Sequence, residues 1–228
     1  MERQLLVIFY LMLIGCSSSN SEPNLATQSV VLGNTTLEIP VKYLLPDLPT
    51  AMVPSSGLDK DEGALFRIPL TDLGIQVSKR KSGLSDVLIV LIYSAPSRLN
   101  PDTRNAWHGT GLYKKRIIEF DEEVNLYRVY PDVGSPFPSS WNYFKTSPEK
   151  GGDPALNWVA SCLTNAMNKK SHILDGSSNC HVTPVYKTVE SQITVAGENM
   201  VIREEIINKY LEMLKSWDKT GVEKVGEH

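Results

Sequence analysis

The strongest hydrophobic signal is Val87-Leu88-Ile89-Val90-Leu91-Ile92-Tyr93, entered at Asp86 and left at Pro96. A continuous β-branched and aliphatic run of this length predicts a strand buried on both faces, at the centre of a sheet. Elsewhere the pattern alternates in period two. Ser29 to Leu32 and Thr35 to Ile39 flank Gly33-Asn34 and predict a β-hairpin. Leu65 to Leu70 predicts a strand that Pro69 demotes to an edge. Lys115 to Phe120 and Val124 to Tyr130 predict a second hairpin around the acidic turn Asp121-Glu122-Glu123. Trp141 to Thr146, Trp158 to Leu163, Cys180 to Tyr186 and Ser191 to Val195 are further short strands, whereas Pro96 to Gly111 and Pro131 to Pro138 read as loops. The pattern then changes period. Ile202, Ile206, Tyr210, Met213 or Leu214, and Trp217 recur at three- and four-residue spacing, which predicts one amphipathic helix capped at Asn199 and ended at Gly221. Strands first and a helix last predict an α+β fold: a mostly antiparallel β-sheet with a C-terminal α-helix packed on one face.

The N-terminus breaks this pattern. Residues 5–14 are apolar and follow Glu2 and Arg3. A bilayer-spanning helix needs about 20 such residues, whereas a signal-peptide core needs about 7–15. Leu13-Ile14-Gly15-Cys16 then runs into the polar tract Ser17-Ser18-Ser19-Asn20-Ser21. This order resembles the lipobox of bacterial lipoproteins. The resemblance implies cleavage before Cys16, a diacylglycerol on its sulfur and an acyl group, such as palmitate, on the new amino group. It departs from the pattern in its thin positive charge, since Arg3 is the only basic residue ahead of the apolar run. Ser17 rather than Asp after the cysteine implies, by likeness to bacterial sorting rules, the outer membrane, with the body facing the periplasm. The expected organisation is a signal peptide over 1–15, a flexible tether over 16–28, one α+β domain over 29–218 and a tail over 219–228.

Charge and cysteines narrow the class. The chain carries 23 basic and 26 acidic side chains, and cleavage would remove one of each. No strongly basic surface is available for nucleic acid, so no nucleic-acid partner is expected. With Cys16 assigned to lipid by the resemblance, Cys162 and Cys180 remain as an even pair. In an oxidising periplasm that pair is expected to form a disulfide; two buried thiols or a redox site are the alternatives, and no C-x-x-C is present.

A search for chemistry leaves little. Ser78-Lys79-Arg80-Lys81, Ser85-Asp86-Val87 and Lys219-Thr220-Gly221 echo the S-x-x-K, S-D-N and K-T-G set of penicillin-binding proteins. Their contexts are wrong, because the first runs into a strand and the last trails a helix. His108, His172, His181 and His228 lack any metal-ligand spacing, and Asp59-Lys60-Asp61-Glu62-Gly63 places its glycine one residue early for a calcium loop. No catalytic residue, metal or cofactor is therefore expected. Two basic triplets, Lys79-Arg80-Lys81 and Lys114-Lys115-Arg116, are candidates for one patch facing an acidic protein, lipopolysaccharide or a lipid headgroup. The plain alternative is a pair of solvated strand ends that blunt sheet edges. Trp107, Trp141 and Tyr143 lie near loops, as interface anchors or as core.

Two further stretches bear on role. Residues 37–44, Leu-Glu-Ile-Pro-Val-Lys-Tyr-Leu, are similar to the I-P-x-x-Y-L opening of envelope proteins. The layout from Trp158 through Cys162, Asn179-Cys180-His181 and Leu214-Lys215-Ser216-Trp217 resembles small lipoproteins that act as immunity partners of type VI secretion effectors. The likeness carries no binding residue over. It implies a lipid-anchored, non-catalytic binding protein that blocks a toxic or lytic periplasmic enzyme. The alternative is a structural lipoprotein of an envelope assembly or secretion complex.

Overall fold

A computed structural model describes residues 26–45, 63–77, 84–94, 99–131, 140–164 and 178–221. Strands β1 (Thr27–Leu32) and β2 (Thr35–Pro40) form a separate two-stranded hairpin. Gly33 adopts the positive φ of +57° that its two-residue turn requires. A nine-stranded antiparallel sheet follows. Its members are β3 (Gly63–Pro69), β4 (Val87–Tyr93), β5 (Ile117–Asp121), β6 (Leu126–Tyr130), β7 (Ser140–Phe144), β8 (Trp158–Thr164), β9 (Ser178–Val182), β10 (Val185–Tyr186) and β11 (Val189–Ala196). The order is β3-β4-β11-β9-β8-β7-β6-β5, with β10 paired to β11 off that path. The helices are α1 (Pro101–His108), the one-turn α2 (Pro154–Asn157) and α3 (Arg203–Trp217).

The expected α+β arrangement is what the structure contains. Alternation places Phe66, Ile68, Leu88, Val90, Ile92, Ile193, Val195, Val182 and Ala160 on one sheet face, in one continuous core. Against it α3 lays Ile206, Tyr210, Leu214 and Trp217, the positions singled out by helical spacing. Trp217 meets the rings of Phe66 and Tyr43 at 5.7 and 5.5 Å, and the Tyr210 hydroxyl donates to Ser191 Oγ at 2.7 Å. Leu32, Leu37 and Ile39 add the small hairpin to the same core.

Five details depart from the sequence reading. The run at residues 87–93 is β4, second from a sheet edge rather than central. Residues 88, 90 and 92 are fully buried and 89, 91 and 93 only partly so, because β11 and β3 flank it and one face lies away from α3. Residues 101–108, expected as loop, form α1. Asn100 Oδ1 accepts from the Asp102 backbone N–H at 2.9 Å, Pro101 takes the first helical position, and Gly109 closes the helix at φ +66°. Asn199 does not cap α3. A 3-10 turn (Gly197–Ile202) precedes the helix, and the buried Asn199 side chain instead donates Nδ2–H to the Ser85 carbonyl at 2.6 Å. Lys219 and Thr220 are not free at the chain end. The Lys219 N–H donates to the Thr36 carbonyl at 2.9 Å and Thr220 Oγ1 accepts from the Thr36 N–H at 3.1 Å. At the other end β1 begins at Thr27, two residues before the expected domain start.

Candidate functional site

The sheet face away from α3 has two parts. Over β6, β7 and the start of β8, α1 and the turn after it seal a second apolar cluster of Ala106, Trp107, Tyr113, Val129 and Phe144. Trp107 is anchored there by an Nε1–H···O bond to Gly152 at 3.1 Å. Toward β9 and β11 the face becomes polar. Strand register sets Asn142 opposite Ser161, Ser161 opposite His181, and His181 opposite Thr194. Directly opposed residues share a face, so these four side chains form one lateral row across β7, β8, β9 and β11, roughly 14 Å long at the usual strand spacing.

The row is tied together from its buried end. Ser161 Oγ donates to Asn142 Oδ1 at 2.7 Å, Thr103 Oγ1 donates to the same oxygen at 3.1 Å, and Asn142 Nδ2 donates to the Tyr113 hydroxyl at 3.1 Å. Helix α1 thus fixes one end through Thr103. At the open end His181 Nδ1 shares a hydrogen bond with Thr194 Oγ1 at 3.1 Å. Burial lowers the His181 pKa, which favours the neutral ring. Ser161, His181 and Thr194 are half-buried, so they keep part of their surface toward solvent. Among the described residues no carboxylate joins His181 and no group of metal-ligating side chains assembles. The row presents two hydroxyls and an imidazole to whatever covers it, while the Asn142 amide is buried behind them. Two rungs further along the same face, Tyr93 donates its hydroxyl to Glu190 Oε1 at 2.5 Å, while Glu190 Oε2 is buried without a hydrogen-bond partner. Burial and that carboxylate push the Tyr93 pKa up.

A second polar cluster lies on the α3 side of the sheet. Arg128 donates to the hydroxyls of Tyr143 (Nη2, 2.7 Å) and Tyr130 (Nη1, 2.9 Å), pairs with Asp121, and lies 5.6 Å from the Trp141 ring centroid. Tyr143 in turn donates to Asp121 Oδ2 at 2.8 Å. Burial works against the guanidinium, but the contacts with Tyr143 and Tyr130 outweigh it and raise its pKa. Every Arg128 nitrogen has a partner within the cluster, which reads as a structural lock between β5, β6 and β7.

Cys16 and the triplet Lys79, Arg80, Lys81 lie outside the described residues, as do His172, His228 and most of the acidic stretch 59–63. Lys114 and Lys115 are exposed just before β5. Arg116 is half-buried, with its guanidinium against Gly109, where a side chain would collide with it. Cys162 and Cys180 are directly opposed on β8 and β9, Cα atoms 4.0 Å apart, and are bonded. Trp107, Trp141 and Tyr143 are core residues, 2, 2 and 3% exposed. Ser85 is buried and bonded to Glu198, Lys219-Thr220-Gly221 lies beside β2, and Ser78 to Lys81 lie outside the described residues. Sequence reasoning missed the row itself, because its members come from four strands and only register aligns them.

No protein-family model and no curated protein matches the sequence. Among solved structures the chain is similar to Smlt3025, an immunity protein of the Stenotrophomonas maltophilia type IV secretion system. Identity is 11% over 86% of this chain and 94% of that one, with a TM-score of 0.49. It is also similar to the Neisseria meningitidis iron-regulated outer membrane lipoprotein FrpD, at 14% identity over 84% of this chain and 92% of that one, with a TM-score of 0.42. Neither overlap is close enough to establish a shared role. No helix among the described residues is long and apolar enough to cross a membrane.

Proposed function

We propose that the chain is a lipid-anchored envelope protein that binds and blocks a toxic or lytic periplasmic enzyme, in the manner of an immunity protein. The observation that carries the reading is the order of residues 5–16: a short apolar run, Gly15 and Cys16, followed by a polar tract. Two or three acyl chains give a firm hold where one gives only reversible binding. A bonded Cys162–Cys180 pair suits the oxidising space that such an anchor implies. On this reading the body works by occupying a partner rather than by chemistry. The open part of the row, Ser161, His181 and Thr194, is the docking face, since half-buried hydroxyl and imidazole groups give directional recognition without a reactive centre.

Palmitate labelling with intact-mass analysis tests the anchor: the expected product lacks residues 1–15 and carries lipid at Cys16. Detergent-extracted, tagged protein from cells challenged by competitors tests the role. Recovery of a single toxic enzyme, together with lost survival on deletion, is the expected result. Stoichiometric recovery of a membrane assembly with unchanged survival would favour a structural envelope role instead.

A further inference from the structure

Strand β5 ends the large sheet, and among the described residues no strand pairs with its outer edge. Such an edge presents unpaired backbone donors and acceptors, a template for another strand unless something blunts it. Its sequence is polarised. Lys114-Lys115-Arg116 precede Ile117-Ile118-Glu119-Phe120-Asp121, and Glu122-Glu123 follow. Phe120 is 49% exposed, and Lys114, Lys115, Glu119 and Glu122 are exposed as well. A strand that is basic at one end and acidic at the other complements an antiparallel copy of itself.

We infer that β5 is a homodimerisation edge, pairing antiparallel with β5 of a second copy about a two-fold axis at Glu119. Two-fold antiparallel pairing requires one residue to face its own copy, because directly opposed residues share a sheet face. Centring on Glu119 sets Ile118 against Phe120 twice, which covers the exposed ring. It also lays the basic run 114–116 of each copy along the acidic turn 121–123 of the other. Centring on Ile118 instead would set Lys115 against Asp121, whose carboxylate is already engaged by Arg128 and Tyr143. The chosen register leaves one unfavourable element, the two Glu119 carboxylates facing each other across the axis. Exposed ion pairs are weak individually and screened by salt, so the pairing is expected to be modest and salt-sensitive in free solution. The inference stands apart from the anchor, the immunity role and the polar row.

The test uses the full-length chain in detergent, with micelles in large excess. Glu119→Cys should give a cross-linked dimer with a short thiol-reactive linker, whereas Arg67→Cys, exposed on the opposite edge strand β3, should not. Because this register sets Lys115 opposite Glu123, Lys115→Glu or Glu123→Lys alone should lower the dimer fraction several-fold, and the double charge swap should restore it. Glu119→Gln should raise the dimer fraction, because it removes the like charges at the axis. All four sites are exposed, and unchanged far-UV circular dichroism checks the fold. A monomer at all concentrations, equal cross-linking at residues 67 and 119, or a charge swap that fails to restore association would each overturn the inference. So would weaker association in Glu119→Gln.

Discussion

On one side of the large sheet, Phe66, Leu88, Val90, Ile92 and Ile193 lie under α3 and the small hairpin, with the Ser191–Tyr210 hydrogen bond among them, while the Arg128 cluster on that side sits farther along, over β5, β6 and β7. On the other side the same strands turn Arg67, Ile89, Gln192, Thr194 and His181 outward, and among the described residues only the far end is sealed, by α1. The first face has the density of a core and answers to volume. The second is held by directional bonds and answers to chemistry. Stability should therefore reside mainly under α3, and substitutions in the row should cost the fold little.

The largest expected effect lies under α3. Phe66→Ala removes a fully buried ring that meets Trp217 edge-on and should cost about 3–5 kcal/mol in denaturant unfolding. A loss below about 1 kcal/mol would dissolve the distinction between the faces. Next comes the bridge. Cys162→Ala with Cys180→Ala opens a link between residues 18 apart in sequence and should cost about 3 kcal/mol, and a reductant should then have no further effect on the melt. Arg128→Met breaks the lock between β5, β6 and β7 and leaves the half-buried Asp121 beside tyrosines without its cation. Because the guanidinium is about a quarter exposed, the expected loss is smaller, about 1–3 kcal/mol, and Asp121→Asn in the same chain should recover part of it.

The smallest effect is on the row. Ser161→Ala or Thr194→Val should change stability by about 1 kcal/mol or less, measured by the same melts. His181 adds a sign. Its folded pKa is lowered by burial, so the unfolded chain binds a proton first as pH falls below the ordinary value of 6.5. Stability should be full above that pH and decline as pH falls from 6.5 toward the folded value, and His181→Asn should flatten this slope. A slope unchanged by that substitution would place the titrating group elsewhere.

What the chain made legible follows from the range of each physical signal. Period-two alternation is local, so the hairpins at residues 29–39 and 115–130 and the edge character of Leu65 to Pro69 were readable. So was the Ile206, Tyr210, Leu214, Trp217 stripe. Helix α1 was also written locally, in Asn100-Pro101 and Gly109, but its polar interior of Asp102, Thr103, Arg104 and Asn105 masks the apolar stripe. Asn199 looked like a cap because it precedes the helical period. Its carboxamide satisfies the Ser85 carbonyl instead, a partner 114 residues away that no local pattern reveals. The row at Asn142, Ser161, His181 and Thr194 depends on four registers at once, and register is a property of paired strands rather than of any one of them.

The contacts between the last described turn and the first hairpin have a mechanical meaning. Asp218 bridges to Leu37 and pairs with Lys187, while the Thr36 carbonyl accepts from the Lys219 N–H and the Thr36 N–H donates to the Thr220 hydroxyl. A pull applied at the N-terminal end therefore cannot peel β1 and β2 away alone. It loads the end of α3 as well, so the two ends of the polypeptide should yield together, and trimming after Trp217 should make the hairpin the first piece to come loose.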